Sequence, residues 1–333
     1  MTKRCQVVVT DTLPEIGAEC KILDDVADVK LLQTNDDTDV ARNGADADVL
    51  LVYHTIKISE KTIATLHKCR GIIRCGVGYD NVDIHAAGSH GIVVCNVPDY
   101  GTEEVADHAL LMLLAIVRRF LSANQSVRDG NWNYQIAIDT PRLRGRTLGV
   151  IGCGRIGTAM VLRAKALGLR VVIFDPYKPD GLEKALGVER VHRLDDLLKQ
   201  SHFVSVHCPL TPETKHILNA KTLALLPKGA YVVNTARGPC VDADGLLQAV
   251  ESGQVAYAAL DVVETEPLSD ERLRKHPRIV LTPHTAFYSI EGYQEMRSKG
   301  AEEARRIVTG EAVRNPVNLH ALKGPARAVV TRN

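Results

Sequence analysis

The feature that most constrains the fold of this chain is a glycine-rich turn between two apolar segments. Residues 148–151 are mostly apolar and lead directly into the pattern Gly-x-Gly-x-x-Gly, whose glycines are Gly152, Gly154 and Gly157. A second apolar segment follows and ends on Asp175, about 20 residues further along the chain. This order of strand, glycine turn, helix, strand and terminal acid is typical of a dinucleotide-binding βαβ unit.

Each position of the motif has a physical reason. Gly152 permits the tight turn, Gly154 lets the backbone approach a pyrophosphate, and Gly157 lets helix and strand pack closely. The N-terminus of the helix would present free N–H groups and a positive dipole to the phosphates. Asp175 would accept hydrogen bonds from the adenosine ribose and repel a 2′-phosphate. We therefore expect NAD rather than NADP as the cofactor.

Length and charge exclude several classes of protein. A chain of 333 residues is long enough for two domains. With 41 basic and 40 acidic residues, it has no charge excess that would favour nucleic acid or an anionic membrane. The longest apolar segment, residues 109–117, is too short to cross a bilayer, and the run at 5–9 is too short for a signal peptide. We therefore expect a cytoplasmic protein that binds neither nucleic acid nor membrane.

The cysteine pattern agrees with that location. Eight cysteines are scattered along the chain, without a Cys-x-x-Cys pair or a spacing typical of zinc ligands. Several of them lie in or beside apolar segments, as expected for reduced thiols in a core. The sequence therefore predicts no disulfide framework and no metal.

Two series of apolar segments divide the chain. The first series lies before residue 99 and the second begins at Leu148 and ends at residue 281. Near-continuous apolar runs with long spacers are typical of parallel strands that are covered by helices on both faces. The helical stretch at 290–308 is followed by no strand, so we expect it to return to the first domain. We expect little order in residues 325–333.

The predicted architecture is α/β, with two doubly wound parallel-sheet domains and a cleft between them. One is a flavodoxin-like substrate domain, formed by residues 1–98 plus 287–333. The other is a Rossmann domain for NAD, formed by residues 99–286.

Charged side chains follow three strands of the second series, at the points where the strands end. Arg237, Asp261 and His284 come after the apolar segments that end at residues 234, 260 and 281. Because ligands of doubly wound sheets bind beyond the carboxyl ends of the strands, we expect these side chains to share one rim.

These residue types suit hydride transfer to a 2-oxo acid. The planar guanidinium of Arg237 can bind a carboxylate and polarise the neighbouring carbonyl. His284 can donate a proton to the carbonyl oxygen as the hydride arrives, or remove it in the reverse direction. A neighbouring carboxylate would favour the protonated ring and fix its orientation. Spacing alone does not choose between Glu264 and Glu266 for that role.

Motifs along nearly the whole chain resemble those of the D-isomer-specific 2-hydroxyacid dehydrogenases. The matching segments are 76–83, 96–98, 152–157, 207–214, 234–238, 260–262, 266–267 and 282–284. The resemblance implies an NAD-dependent oxidoreductase that transfers a hydride between NAD(H) and a small D-2-hydroxy acid or 2-oxo acid, such as glyoxylate or hydroxypyruvate. It also implies a homodimer.

The resemblance implies a role for each matching residue of the second domain. Arg237 binds substrate, and His284 is the catalytic acid or base. The acid just before a proline pairs with that histidine, which selects Glu266 over Glu264. Asp261 holds the nicotinamide amide. The expected cofactor contacts are Gly152, Gly154, Arg155, Ile156, Gly157, Asp175, Cys208, Pro209, Thr214, Thr235, Ala236 and Asp261.

Four residues are expected to shape the substrate site. By the same resemblance, the backbone N–H groups of Val77 and Gly78 bind the substrate carboxylate, beside Arg74. Phe287 stands where most family members have glycine, and it would narrow the space for the substrate's side chain. The nearest likeness is to the C-terminal-binding-protein branch. An NAD(H)-sensing, corepressor-like binding protein with weak dehydrogenase activity is therefore the alternative.

Overall fold

The computed structural model describes residues 4–331, which divide into two compact units. Unit 1 comprises residues 4–101 and 289–331, and unit 2 comprises residues 102–288. The predicted boundaries lie a few residues earlier in the chain at both junctions. The observed divisions coincide with the beginnings of two helices, at Thr102 and at Ile290.

Unit 1 contains a five-stranded parallel sheet with the strand order β2-β1-β3-β4-β5. Its strands are β1 (Cys5–Val9), β2 (Ala27–Leu31), β3 (Val49–Val52), β4 (Gly71–Arg74) and β5 (Val93–Asn96). The last three are buried at every position, which explains their unbroken apolar runs. Its helices are α1 (Gly17–Leu23), α2 (Asp37–Asn43), α3 (Glu60–Ile63), α4 (Ile84–Ser89) and the C-terminal α13 (Ile290–Thr309).

A buried ion cluster joins α13 to α1. The Nε atom of Arg297 donates to one carboxylate oxygen of Glu19 at 2.7 Å, and Nη2 donates to the other at 2.5 Å. The Tyr53 hydroxyl also donates to Glu19, and Arg297 pairs with Glu15 as well. Burial raises the pKa of Tyr53, so its hydroxyl keeps the proton that it donates. The cluster explains why α13 packs in unit 1, although it is distant in sequence.

Removal of the Arg297 guanidinium should destabilise unit 1. Arg297→Met keeps much of the side-chain volume but leaves Glu19, which is fully buried, without its counter-charge. Loss of one partner of a buried ion pair costs about 3–5 kcal/mol, and denaturant unfolding measures that loss. Arg305→Met is the control, because it breaks the exposed pair with Asp25 and should change stability much less. Equal losses in the two variants would contradict this account.

The C-terminal segment is more ordered than its composition predicted. The N–H of Arg327 donates to the carbonyl of Gly91 at 2.8 Å, and its guanidinium donates to the carbonyl of His67 at 2.9 Å. Val330 forms a bridge with Val313. The expectation of little order is therefore wrong for residues 325–331. Residues 332 and 333 lie outside the described part of the chain.

Unit 2 contains a seven-stranded parallel sheet with the strand order β12-β11-β10-β9-β6-β7-β8. The strand order reverses between β6 and β9, and ligands of doubly wound sheets bind at such a switch point. The short edge strand β8 was not predicted, because it contains no apolar run. The strands are β6 (Thr147–Ile151), β7 (Arg170–Phe174), β8 (Glu189–Arg190), β9 (Phe203–Val206), β10 (Ala230–Asn234), β11 (Val255–Leu260) and β12 (Ile279–Leu281).

Helices cover the sheet of unit 2, as the apolar strands require. None of the helices described between residues 4 and 331 combines the length and the apolar character needed to span a membrane. The helices of unit 2 are α5 (Thr102–Val117), α6 (Phe120–Arg128), α7 (Arg155–Ala166), α8 (Leu182–Leu186), α9 (Leu194–Leu198), α10 (Ala220–Leu223), α11 (Ala243–Glu251) and α12 (Glu271–Arg274).

Candidate active site

The glycine turn connects β6 to α7, and two of its three glycines leave no room for a side chain. Gly152 has a φ of +88°, and a Cβ there would lie 2.6 Å from the backbone nitrogen of Cys208. A Cβ at Gly157 would lie 2.1 Å from the carbonyl oxygen of Gly152. Gly154 has an ordinary φ of −75° and faces open space. Packing therefore requires the first and third glycines, whereas the second leaves space at the helix N-terminus, which starts with Arg155 and Ile156.

Asp175 follows β7 beside this turn. One carboxylate oxygen accepts from the N–H of Cys153 at 2.9 Å, and the other accepts from the N–H of Tyr177 at 3.0 Å. Arg190 donates to the carbonyl oxygen of Asp175 at 2.9 Å. The carboxylate is thus fixed in orientation, and each of its oxygens has a lone pair left for a further donor.

The residues that follow β9 lie at the carboxyl end of the central strands. The Thr214 hydroxyl donates to the carbonyl of Pro209 at 2.6 Å. A contact with the Cys240 thiol, together with burial, raises the pKa of Cys208, so the Cys208 thiol keeps its proton. His207, which the sequence analysis did not single out, has a buried Nδ1 atom without a hydrogen-bond partner among the described residues. Burial lowers the pKa of His207 to about 4.

Two residues after β10 were also predicted to contact a cofactor. The N–H of Ala236 donates to the side chain of Asn234 at 3.0 Å, which shapes the turn. Thr235 is buried, and its hydroxyl has no hydrogen-bond partner within the described chain. A buried polar group without a partner costs about 1–3 kcal/mol. The site therefore favours a ligand that supplies the missing partner.

Arg237 follows in the same turn. The side-chain amide of Asn234 donates to the carbonyl of Arg237 at 2.8 Å, and Nη1 of Arg237 donates to the carbonyl of Ala236 at 2.8 Å. At Gly238 a Cβ would lie 1.9 Å from the carbonyl oxygen of Val263. The segment carrying Arg237 is thus packed closely against the segment that follows β11.

Two histidine–glutamate pairs distinguish the candidate acids. The Nδ1 atom of His284 lies 2.8 Å from Oε2 of Glu266, whereas Glu264 bonds to Nε2 of His216. Both histidines have a left-handed backbone, with φ values of 55° and 52°. The residues that spacing could not separate therefore have different partners, and Glu266 is the neighbour of His284.

The second pair has a further acidic neighbour. His216, Asp242 and Glu264 each bring a potential metal-ligand atom within 4.8 Å of the others. The spacing of these residues in the sequence did not indicate this group. The hydrogen bond between His216 and Glu264 accounts for the approach of these two residues, and we assign no metal to the group.

Asp261 holds the turn that carries His284. Its carbonyl accepts from the N–H of His284 at 2.8 Å. Its carboxylate accepts from the N–H groups of Thr285 and Ala286, at 2.9 and 3.0 Å. Three successive N–H groups are thus bound by one residue, which stabilises a left-handed conformation that costs a non-glycine residue about 1–2 kcal/mol. Phe287 then packs edge-on against the His284 ring, with 6.2 Å between ring centroids.

In unit 1, Arg74 lies over the glycine loop that follows β4. A Cβ at Gly76, where φ is +149°, would lie 1.5 Å from the Arg74 guanidinium. The Asn96 side chain donates to the carbonyl of Val77 at 2.7 Å. The N–H groups of Val77 and Gly78 donate no hydrogen bond within residues 4–331. The loop therefore presents two backbone donors next to a buried arginine.

Comparison with known proteins identifies the family. Residues 110–286 match the model of the D-isomer specific 2-hydroxyacid dehydrogenase family, NAD binding domain. The chain belongs to this family. The membership confirms the predicted resemblance, and the two parallel sheets confirm the predicted fold class. The likeness to the C-terminal-binding-protein branch stays a prediction.

Relatives of this chain carry two kinds of name. D-3-phosphoglycerate dehydrogenases from Methanocaldococcus jannaschii and Bacillus subtilis are 37% and 35% identical to it, over 94% and 95% of this chain. The chain spans 59% of the length of each of these curated relatives. An NADPH-dependent glyoxylate/hydroxypyruvate reductase from Sinorhizobium meliloti, solved with NADP and malonate, has a TM-score of 0.86 and 29% identity, covering 98% of this chain and all of that one.

The residues of unit 2 fit the dinucleotide that the family model names. The Thr235 hydroxyl and the Nδ1 atom of His207 are buried without partners, and polar groups of a ligand would satisfy them. The open space beside Gly154 admits a pyrophosphate at the N-terminus of α7. Asp175 has lone pairs left for ribose hydroxyls. Residues 110–286 of this chain thus form the NAD-binding domain of the family.

Proposed function

We propose that this protein catalyses hydride transfer between NAD(H) and a small D-2-hydroxy acid or the corresponding 2-oxo acid. The observation that carries the proposal is the contact of 2.8 Å between His284 and Glu266, in the same unit as the glycine turn and Arg237. The bound nicotinamide supplies or accepts the hydride. The side chains of the protein supply the proton for the carbonyl oxygen of the substrate and the positive charge that binds its carboxylate.

His284 moves the proton. Since Nδ1 contacts Glu266, Nε2 is the nitrogen that donates to the carbonyl oxygen of a 2-oxo acid, or accepts from the hydroxyl in reverse. The Glu266 carboxylate stabilises the protonated ring and fixes its plane, as the aspartate of a Ser-His-Asp catalytic triad does for its histidine. The hold of Asp261 on three backbone N–H groups keeps the ring in place.

Positive and dipolar groups bind the substrate's carboxylate. Arg237 offers a planar fork of donors that matches a carboxylate. For unit 1, we propose that Arg74 and the N–H groups of Val77 and Gly78 bind a substrate carboxylate. The N–H groups of that loop, which donate no hydrogen bond within residues 4–331, support this role.

Phe287 limits the substrate's side chain. Its edge-on contact with His284 supports a position beside the reacting carbon. We therefore propose that short 2-oxo acids such as glyoxylate and hydroxypyruvate are better substrates than bulky ones. The names of the curated relatives make 3-phosphoglycerate and its 2-oxo form the competing candidates.

A substrate panel tests the proposed function. The oxidation of NADH is followed with glyoxylate, hydroxypyruvate, pyruvate, 3-phosphohydroxypyruvate and bulkier 2-oxo acids. We expect turnover with at least one of the small acids. Tight NADH binding without turnover on any of them would overturn the proposal and favour the corepressor-like binding protein.

Asp175 should select NADH over NADPH. A carboxylate and a phosphate about 4 Å apart repel each other by about 1–4 kcal/mol near a protein surface, so Asp175→Ala should reduce the ratio of kcat/KM for NADH over NADPH by about tenfold or more. Asp180→Ala is the matched control, because this acid is exposed and pairs with Arg190. An unchanged ratio in Asp175→Ala would contradict the ribose role.

Exposed apolar side chains of unit 2 support a homodimer. Exposed apolar side chains accumulate between α5 and the loop after α6, and Trp132 is 90% exposed. Contiguous exposed apolar surfaces mark interaction sites, and we propose that these side chains form one. We expect the protein to sediment as a dimer, and Trp132→Ser combined with Tyr134→Ser to shift it toward monomer. A wild-type monomer would contradict the proposal. The exposed residues are Leu111, Phe120, Leu121, Val127, Trp132, Tyr134 and Ile138.

The cysteines support a reducing compartment. All eight are free thiols, and six of them are buried. Free thiols persist where glutathione and thioredoxin keep them reduced. We therefore propose that the protein works in the cytoplasm.

A further inference from the structure

We propose that His108 is a positioning residue for His284, acting through Thr282 and Asp261. The inference rests on the proposed function, in which His284 exchanges the proton with the substrate. All of these residues belong to unit 2. His108 lies on α5, and no motif of the sequence pointed to it.

A chain of hydrogen bonds connects α5 to the turn of His284. The Nε2 atom of His108 lies 3.1 Å from the Thr282 hydroxyl oxygen. That hydroxyl donates its proton to Oδ1 of Asp261 at 2.5 Å. Since a hydroxyl has only one proton, its oxygen accepts from His108. The network therefore assigns a proton to Nε2 of His108.

The far end of this chain is the carboxylate that fixes the turn. Asp261 is 2% exposed, and it binds the N–H groups of three successive residues that begin with His284. The oxygen that accepts from Thr282 also accepts from the N–H of Thr285. A shift of the carboxylate would therefore loosen the turn directly.

His108 controls the orientation of the Thr282 hydroxyl. With its donor in place, the oxygen is held so that its proton points to Asp261. Without that donor, the hydroxyl can rotate toward another acceptor, and Asp261 loses a hydrogen bond that is made to a charged group. The Nε2 atom of His108 also lies 3.7 Å from Oδ1 of Asp261, and the His108 side chain is 18% exposed.

The strain at His284 makes this support matter. Its backbone has a φ of 55°. A residue other than glycine keeps this left-handed conformation only when its surroundings hold it there. A small loss of restraint allows the ring to leave the geometry required for proton transfer. A misplacement on the order of 1 Å can cost about 100-fold in rate.

Three variants separate a donor role from simple packing. His108→Gln keeps an N–H group at a similar reach, whereas His108→Leu fills the space without a donor. Thr282→Val removes the central hydroxyl and keeps the side-chain shape. If His108 only fills space, the variants His108→Gln and His108→Leu should behave alike.

Hydrogen exchange of residues 282–288, measured by mass spectrometry, tests the proposal without need of turnover. We expect the amides of Thr285 and Ala286 to exchange roughly tenfold faster in His108→Leu and Thr282→Val, and at the wild-type rate in His108→Gln. Steady-state kinetics should show kcat falling by about 10- to 100-fold in the first two variants, with the Kd for NADH unchanged. The melting temperature should stay near the wild-type value in all of them.

Two results would overturn the role of His108. One is wild-type exchange in both His108→Leu and Thr282→Val, and the other is equally fast exchange in His108→Gln and His108→Leu. Failure of the proposed function gives a different result. In that case the wild-type protein reduces no 2-oxo acid, while the exchange rates still decide whether His108 positions His284.

Discussion

Replacement of His284 by asparagine should lower kcat by about 10²- to 10⁴-fold, the usual contribution of a positioned general acid or base. An amide cannot transfer the proton that the imidazole donates to the carbonyl oxygen. Asparagine also tolerates the left-handed backbone at this position, where φ is 55°. The loss therefore reports chemistry and not a collapsed turn, and the Kd for NADH should change little.

The chain contains a closely matched control for this substitution. His216 has a φ of 52° and also pairs with a glutamate, Glu264, in the same unit. His216→Asn removes an equivalent pair that has no assigned part in the reaction, so its kcat should stay within about threefold of wild type. Because exposed ion pairs contribute little to stability, the variant should also fold normally. Activity of His284→Asn within about tenfold of wild type would contradict the role of His284 as the acid.

Two alanine substitutions in the glycine turn should affect different properties, the first the stability of the unit and the second the binding of NADH. Gly152→Ala places a methyl group 2.6 Å from the backbone of Cys208, at a φ of +88°. Overpacking against a backbone together with the left-handed conformation should cost about 2–5 kcal/mol. For a unit of this size, the melting temperature should fall by roughly 5–15 °C.

Gly154→Ala is the matched partner, since the same methyl group enters open space at an ordinary φ. Its stability should stay within about 0.5 kcal/mol of wild type. Binding of NADH should nevertheless weaken by about tenfold or more, because the methyl group occupies the position where the pyrophosphate approaches the backbone. Thermal melts and NADH titrations measure both effects. Equal melting temperatures for the two variants would contradict the packing account, and unchanged NADH affinity in Gly154→Ala would contradict the ligand account.

The sequence predicted the sheets well because their strands are continuous apolar segments. β3, β4 and β6 are buried at every position, so their composition alone identifies them. β8 has only two residues, neither of them apolar, so local sequence gave no sign of it. The ordered C-terminal segment was missed for a different reason. Its anchor, Arg327, binds carbonyl groups that are more than 200 residues away, and local composition cannot reveal such contacts.

The candidate site was predictable where strand ends deliver side chains to one edge of a sheet. Arg237, Asp261 and His284 follow neighbouring strands of unit 2, as that rule requires. Spacing could not separate Glu264 from Glu266, because both lie within one loop and only the folded chain decides which reaches His284. His108 could not be found at all, because it lies on a helix and contacts the site through Thr282.

The most direct test of the central claim is transfer of the label from NADH that carries deuterium at both positions of C4. The protein is incubated with this cofactor and with the best 2-oxo acid of the panel, and the product is analysed by mass spectrometry and chiral chromatography. We predict a D-2-hydroxy acid that carries deuterium at C2. A product without the label, or no product although NADH is bound, would contradict the claim that this protein transfers a hydride to a 2-oxo acid.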